Sequence, residues 1–371
     1  MQILITTNNS YQEEKNYIFY CIFNYFWNVD YVVHYTSDLL GKYKVTCGNS
    51  SIEIPDCFFE FGKKFWLNKE SLPVLPLQVF SSRFESLSSF SGLPILYGRA
   101  HEEAWYSSSD TDQYLGIDIF GSAFFMLSRY EEYMDFPTDS HGRFEYKHSV
   151  TAKADIIEIP IINEYLDLFW SCIQQLDPTA KRKERNYSVN ISHDIDRPIF
   201  YESDQYEVRL KLYERIMTAL EQRELRSTWN FMADITNPKI DVSYSLEDEP
   251  IRNLLCVIHR RGHQIGLHPS YETYKDGYQL TKEKFMLQNT CKELGITQPI
   301  NSSRQHYLRF KAPDTWNHYV QAGLSFDSTL GHAPTVGFRA GICFDYPVFD
   351  IEKKQSLPLI ESPLIIMDVT L

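Results

Sequence analysis

Residues 187–198 read Tyr-Ser-Val-Asn-Ile-Ser-His-Asp-Ile-Asp-Arg-Pro. The run Tyr187–Ser192 has the content of a short strand. It opens into the polar cluster His193-Asp194-Ile195-Asp196, with Pro198 just beyond. Side chains two apart on an extended chain point the same way, so Asp194 and Asp196 can face one site. Two nearby carboxylates repel, and both stay ionised only where a cation or a hydrogen-bond donor lies beside them. The cluster therefore reads either as half of a chemical site or as a polar cap on the following loop.

Working outward, the pattern repeats. Helical periodicity covers Gln205–Gln222, Pro250–Arg261, Lys282–Leu294 (stopped by Gly295) and Pro313–Ala322. Strand-like runs cover Ser227–Met232, Gln264–Leu267, Ile300–Ser303 and Leu324–Asp327. Such alternation implies parallel strands joined by crossover helices, hence an α/β sheet or barrel. Polar residues sit just past each of four strands: Asp194 and Asp196, His268, Arg304 and His306, and Asp327. The carboxyl ends of parallel strands are where α/β folds gather ligands and chemistry.

Before residue 180 the reading differs. Gln2–Thr6, Tyr43–Cys47 and Ser51–Ile54 predict strands, and Ser10–Trp27, Ile117–Tyr133 and Ile161–Gln175 predict helices. The run Arg129-Tyr-Glu-Glu-Tyr133 reads as a helix face rather than a site. The polar stretch Asp177–Arg185 marks a boundary, which predicts a smaller α/β domain over 1–180 and a second domain over 187–371.

Composition narrows the function. Of 371 residues, 36 are Lys or Arg and 49 Asp or Glu, for a net charge of -13, which disfavours nucleic acid as a partner. The seven cysteines are scattered with no C-x-x-C pair, which argues against a zinc knuckle and fits a reducing compartment. No signal peptide or uninterrupted apolar run of about 18 residues is visible, so a cytoplasmic chain without a membrane span is expected.

The second polar cluster is Gly262-His-Gln-Ile-Gly-Leu-His268-Pro-Ser-Tyr-Glu272. Histidines five apart on a strand are separated by ~16 Å, too far to share a metal. His268 lies at the carboxyl end and is the ligand candidate, whereas His263 makes a structural hydrogen bond. Glu272 falls on the side of His268 if the chain turns helically after Pro269, and otherwise is a surface residue. In the third cluster, Arg304 can orient a carboxylate, and His306 can donate a proton or bind a metal.

Together these residues resemble the polysaccharide deacetylase superfamily (carbohydrate esterase family 4). The resemblance rests on the strand running into Ser192-His-Asp-Ile-Asp196 and on the later strand ending Gly262-His-Gln-Ile-Gly-Leu-His-Pro-Ser270, about 70 residues on. More closely, the chain is similar to bacterial proteins with an extra N-terminal domain. They share phrases such as Leu127-Ser-Arg-Tyr-Glu-Glu132, Ser303-Arg-Gln-His-Tyr-Leu308, Phe326-Asp-Ser-Thr-Leu-Gly331 and Gly337-Phe-Arg-Ala-Gly341.

The resemblance implies an irregular or partly open (β/α) barrel and a divalent metal, zinc first. Carried over by motif, Asp194 is the catalytic base, Arg304 braces it, and Asp196 and His268 are metal ligands. Glu272 stands where the family has its second histidine ligand, and His306 is assigned to the catalytic set or substitutes as that ligand. The implied reaction removes an N-linked acetyl or related acyl group from a sugar or polysaccharide precursor by metal-activated water. The alternative is a non-catalytic domain of the same descent that binds glycan or a protein. The chain departs from the family by having Gln305 and His306 after the arginine, and by lacking a final strand with its histidine acid. The run Ile360–Leu371 reads as a strand entering a further segment.

Overall fold

The computed structural model describes residues 2–82, 85–198 and 206–370. Its first sheet starts with β1 (Gln2–Asn8), where Ile3 and Ile5 are buried and Gln2 and Leu4 exposed, the period-two pattern of a half-buried strand. Helix α1 (Gln12–Phe19) continues as a π-helical run to Phe26, so the single helix expected over Ser10–Trp27 changes its winding midway. That run buries Cys21, Ile22, Phe23 and Phe26. Strands β2 (Asp30–Thr36), β3 (Lys42–Cys47) and β4 (Ser50–Pro55) follow. Gly48, at φ +61°, opens the two-residue turn between β3 and β4, which needs a left-handed first residue.

Helix α2 (Phe58–Phe65) precedes a two-stranded ribbon of β5 (Gln78–Val79) and β6 (Pro94–Ile95). Strands β7 (Tyr106–Ser108) and β8 (Asp112–Leu115) complete a mixed sheet in the order β2-β1-β3-β4-β8-β7. Helix α3 (Ile119–Leu127) is buried at all nine positions. Asp118 caps it through the Gly121 amide and also accepts the amides of Cys57 and Phe58, so one carboxylate joins the starts of α2 and α3. A Cβ at Gly121 would sit 2.4 Å from both the Asp118 carboxylate and Phe58, and only glycine fits there. The helix stops well short of Tyr133 because Arg129 adopts φ +56°, after which α4 (Val150–Lys153) and α5 (Ile161–Leu176) follow.

The second sheet is built from β9 (Ile191–Ile195), α6 (Tyr206–Glu221), β10 (Ser227–Phe231), α7 (Glu249–Arg260), β11 (Gln264–Leu267) and α8 (Gly277–Glu293). It continues through β12 (Ser302–Ser303), α9 (Asp314–Gln321), β13 (Phe326–Asp327), β14 (Tyr346–Asp350) and β15 (Gln355–Glu361). The order is β14-β15-β13-β12-β11-β10-β9, parallel throughout except for β14 against β15. Among the described residues this sheet has two ends, β9 and β14, and is not closed into a barrel. The α/β alternation expected from the sequence is present.

Some boundaries move for local reasons. The expected start of α6 at Gln205 lies outside the described residues, as does Leu371. Helix α8 begins five residues earlier than its periodicity suggests, because Asp276 caps the amides of Tyr278 and Gln279. The strand expected to start at Ile360 is instead the end of β15. Pro363 has no N–H to extend the ladder, and the chain runs on to a 3₁₀ turn at Asp368–Thr370. No helix among the described residues is long and apolar enough to cross a membrane.

The two sheets share one continuous buried apolar cluster. Tyr17 packs on Phe349 and donates its hydroxyl to the Pro347 carbonyl. Polar bonds reinforce this contact. Glu132, its side chain 2% exposed, accepts from Arg129 on its own side and is gripped by Arg339 through Nε (2.9 Å) and a terminal nitrogen (2.7 Å). Arg129 also donates to the Arg339 carbonyl. Two of the phrases singled out in the sequence, around residues 127–132 and 337–341, are thus halves of one clasp.

Burial opposes a charge on Glu132, but the two guanidiniums outweigh it and draw its pKa from 4.5 to about 2. A carboxyl with a depressed folded pKa stabilises above its unfolded value, and the gain is lost as pH falls to the folded one. The contribution is on the order of 3 kcal/mol. Denaturant titrations of wild type and Glu132→Gln should show wild type clearly more stable at pH 7, with the gap shrinking between about pH 4.5 and 2. A constant gap would rule out this ion cluster as its source.

Candidate metal centre

Register places the site. Ser192, Asp194 and Asp196 fall on one side of β9 and its extension, while His193 turns the other way onto Trp229, 4.2 Å between ring centroids. Asn230 on β10 is directly opposite Asp194 and donates to its Oδ1 at 2.8 Å. His268 follows the last residue of β11, and Arg304 follows the last residue of β12. Asp194, Asn230, His268 and Arg304 all lie at or just past the carboxyl end of a parallel strand.

Three ligand-type atoms, from Asp196, His268 and His306, lie within 4.8 Å of one another. His268 Nδ1 is 2.6 Å from the Arg304 carbonyl, which can only accept, so that nitrogen carries the proton and Nε2 is left with a lone pair. His306 Nε2 faces the Ile240 carbonyl at a longer 3.4 Å, so its proton can sit on either ring nitrogen. His268 Nε2 and His306 Nδ1 are 2.9 Å apart, within hydrogen-bond reach of each other. Asp196 Oδ1 approaches them at 3.2 and 3.6 Å yet has no well-formed hydrogen bond.

Two imidazole nitrogens and a carboxylate oxygen meeting at one point suit a shared positive charge, either a proton or a cation. With a proton alone, burial works against the His268 charge but Asp194 and Asp196 raise its pKa to about 9. Burial and the nearby His268 push His306 down to about 4. Two imidazoles and one carboxylate form a donor set suited to a divalent transition ion.

Asp194 sits beside this group. Burial alone would raise its pKa, but Arg304, His268 and the bond from Asn230 hold it below the usual carboxylate range. Arg304 lies 3.5 Å from Asp194 and is itself fixed by Ser192 Oγ (2.6 Å) and the Ser328 carbonyl (3.1 Å). The arrangement is an anionic carboxylate, braced by a cation, next to a point that collects positive charge.

Glu272 does not join the group. Its carboxylate turns to Arg309 (3.1 Å) and Lys275 (3.6 Å), and His306 occupies the third corner instead. The turn after His268 sends it away. Glu283, fully buried, accepts the Ser270 amide at 2.8 Å and the Ser270 hydroxyl, while Asp241 accepts the Tyr271 amide at 2.8 Å. His263, at the opposite end of β11, bonds the Ser227 amide at 3.1 Å.

Sequence reading missed Asn230, Ser192, Glu283 and Asp241. Asn230 alone carried a signal, a strand-disfavoured residue inside Ser227–Phe231. Tyr307 and Leu308 adopt left-handed conformations, at φ +59° and +52°. Each costs roughly 1–3 kcal/mol, which the surrounding bonds must hold in place.

Residues 3–178 match a protein-family model described as a family of unknown function, DUF7033. No curated protein matches the chain. Among solved structures, one described by provisional assignment as a polysaccharide deacetylase from Mycobacterium smegmatis aligns with a TM-score of 0.31 and 18% identity. The alignment covers 47% of this chain and 57% of that one. A likeness at that level leaves function to the geometry of the site itself.

Asp327, the fourth strand-end residue, turns inward. It pairs in register with Glu361 on β15, and both are buried. Burial raises both carboxyls, Asp327 to about 6 and Glu361 well above its usual value, and the Asp327 charge adds to the rise of Glu361. An acid whose folded pKa exceeds its unfolded value (near 4 for Asp) stabilises fully at low pH and loses that contribution as pH rises through the folded value. Asp327→Asn should therefore flatten the decline in stability between about pH 4 and 7, measured by thermal unfolding. An unchanged slope would mean that burial does not raise the Asp327 carboxyl in the folded chain.

Proposed function

We propose that this chain is a metal-dependent hydrolase that removes an N-linked acyl group, acetyl first, from a sugar or oligosaccharide. The observation that carries the reading is the convergence of His268 Nε2 and His306 Nδ1, 2.9 Å apart, on an Asp196 oxygen that has no hydrogen bond of its own. Asp196, His268 and His306 would hold the ion, and zinc suits that donor set. When bound, a divalent cation supplies Lewis acidity toward a water and an amide carbonyl.

The remaining work belongs to the chain. Asp194 takes the proton of the attacking water, and it is available to do so because Arg304 and Asn230 keep it ionised and aimed. The Arg304 carbonyl sets the His268 tautomer, so one residue positions both the base and a ligand. His306 takes the place that the family motif would give to Glu272.

The resemblance of the two strand-end motifs to polysaccharide deacetylases supplies the substrate class. The full chain should bind about one zinc per molecule by elemental mass spectrometry. Asp196→Ala, His268→Ala and His306→Ala should abolish uptake, and Glu272→Ala should retain it. Acetate release from N-acetylated chito-oligosaccharides should fall at least ~10²-fold in Asp194→Asn. A chain that takes up no zinc, manganese or cobalt and releases no acetate would instead be a non-catalytic binding domain.

A further inference from the structure

Beside the candidate centre, two loops from distant parts of the chain hold each other. Asp139 accepts the amides of His141 (2.8 Å) and Arg143 (3.0 Å), which closes a tight turn around Gly142, at φ +72°. Arg143 donates to the Tyr307 carbonyl at 2.7 Å. In return, Arg309 donates Nε to the His141 carbonyl at 2.7 Å. His141 Nδ1 lies 2.9 Å from the Tyr271 hydroxyl.

These bonds hold Tyr307 in its left-handed conformation and leave it 40% exposed. Its ring centroid is 4.7 Å from His306, 4.5 Å from His141 and 5.6 Å from Tyr271. A bulky aromatic kept exposed and strained next to a chemically equipped group is not explained by core packing. A pyranose ring fits its needs: the apolar C–H face lies against an aromatic ring, and the hydroxyls find polar tips nearby. A nucleotide would also stack, but the net charge of -13 opposes its phosphates.

We propose that Tyr307 and His141 form a carbohydrate-stacking subsite at the entrance to the centre, with one wall supplied in cis by the segment 139–143. Its ligand is an N-acetylhexosamine unit of an oligosaccharide, an assignment that rests on the hydrolase reading above.

The test uses the full chain carrying Asp194→Asn, to prevent turnover, with tetra-N-acetylchitotetraose as probe and isothermal titration as readout. Tyr307→Gly, which removes the ring and relieves the backbone strain, should weaken binding at least about tenfold. His141→Ala should also weaken it, and Tyr307→Phe should preserve it, with zinc content unchanged in all three. Unchanged affinity in Tyr307→Gly overturns the subsite, as does a chain that does not bind the probe. Unchanged affinity in His141→Ala alone overturns the wall contributed in cis. Ring-dependent binding without acetate release by the otherwise wild-type chain would sustain the subsite while the hydrolase reading fails.

Discussion

The site depends on a mismatch of charge. The Arg304 carbonyl holds the His268 proton on its outer nitrogen, so the inner nitrogens of His268 and His306 meet beside a carboxylate. A positive charge is favoured where they meet, and the rest of the site is arranged around that point. Arg304 stands behind Asp194, and Asn230 locks its orientation from the neighbouring strand.

Holding three ligand candidates from three strand ends requires rigid turns, and two acids provide them, Glu283 buried and Asp241 half-buried. Glu283 ties down the chain just after His268, and Asp241 gathers the amides of Thr236, Asn237 and Tyr271. These carboxylates spend their acceptors on backbone donors and so define loop shape. The Glu132 clasp acts at larger scale. By pairing Arg129 with Arg339, it fastens the N-terminal sheet to the loop before β14. The N-terminal half is therefore part of the scaffold of the second sheet, and its segment 139–143 reaches the rim of the centre.

Much of the site was legible because its signals are local. The two-residue repeat of an extended chain puts Asp194 and Asp196 on one face whatever the rest of the fold does. His268 and Arg304 were legible because each immediately follows a strand-like run. The exchange of Glu272 for His306 was not. It depends on the turn at Pro269 and Ser270, held by Glu283 thirteen positions on, on capture of Glu272 by Arg309 thirty-seven positions away, and on the left-handed step at Tyr307. The helix expected to run to Tyr133 stopped early for a similar reason, since the Arg129 conformation answers to a residue two hundred positions away.

The amino-acid sequence by itself determined the α/β alternation, the strand-end placement of the polar clusters and the shared face of the two aspartates, because periodicity and strand ends follow from nearest-neighbour backbone geometry. Tertiary structure alone decided which imidazole completes the group, that the sheet of the described residues ends at β9 and β14, and that Glu132 is a buried clasp. Each of those depends on how distant segments register and on the charge they exclude from water, which no local pattern encodes.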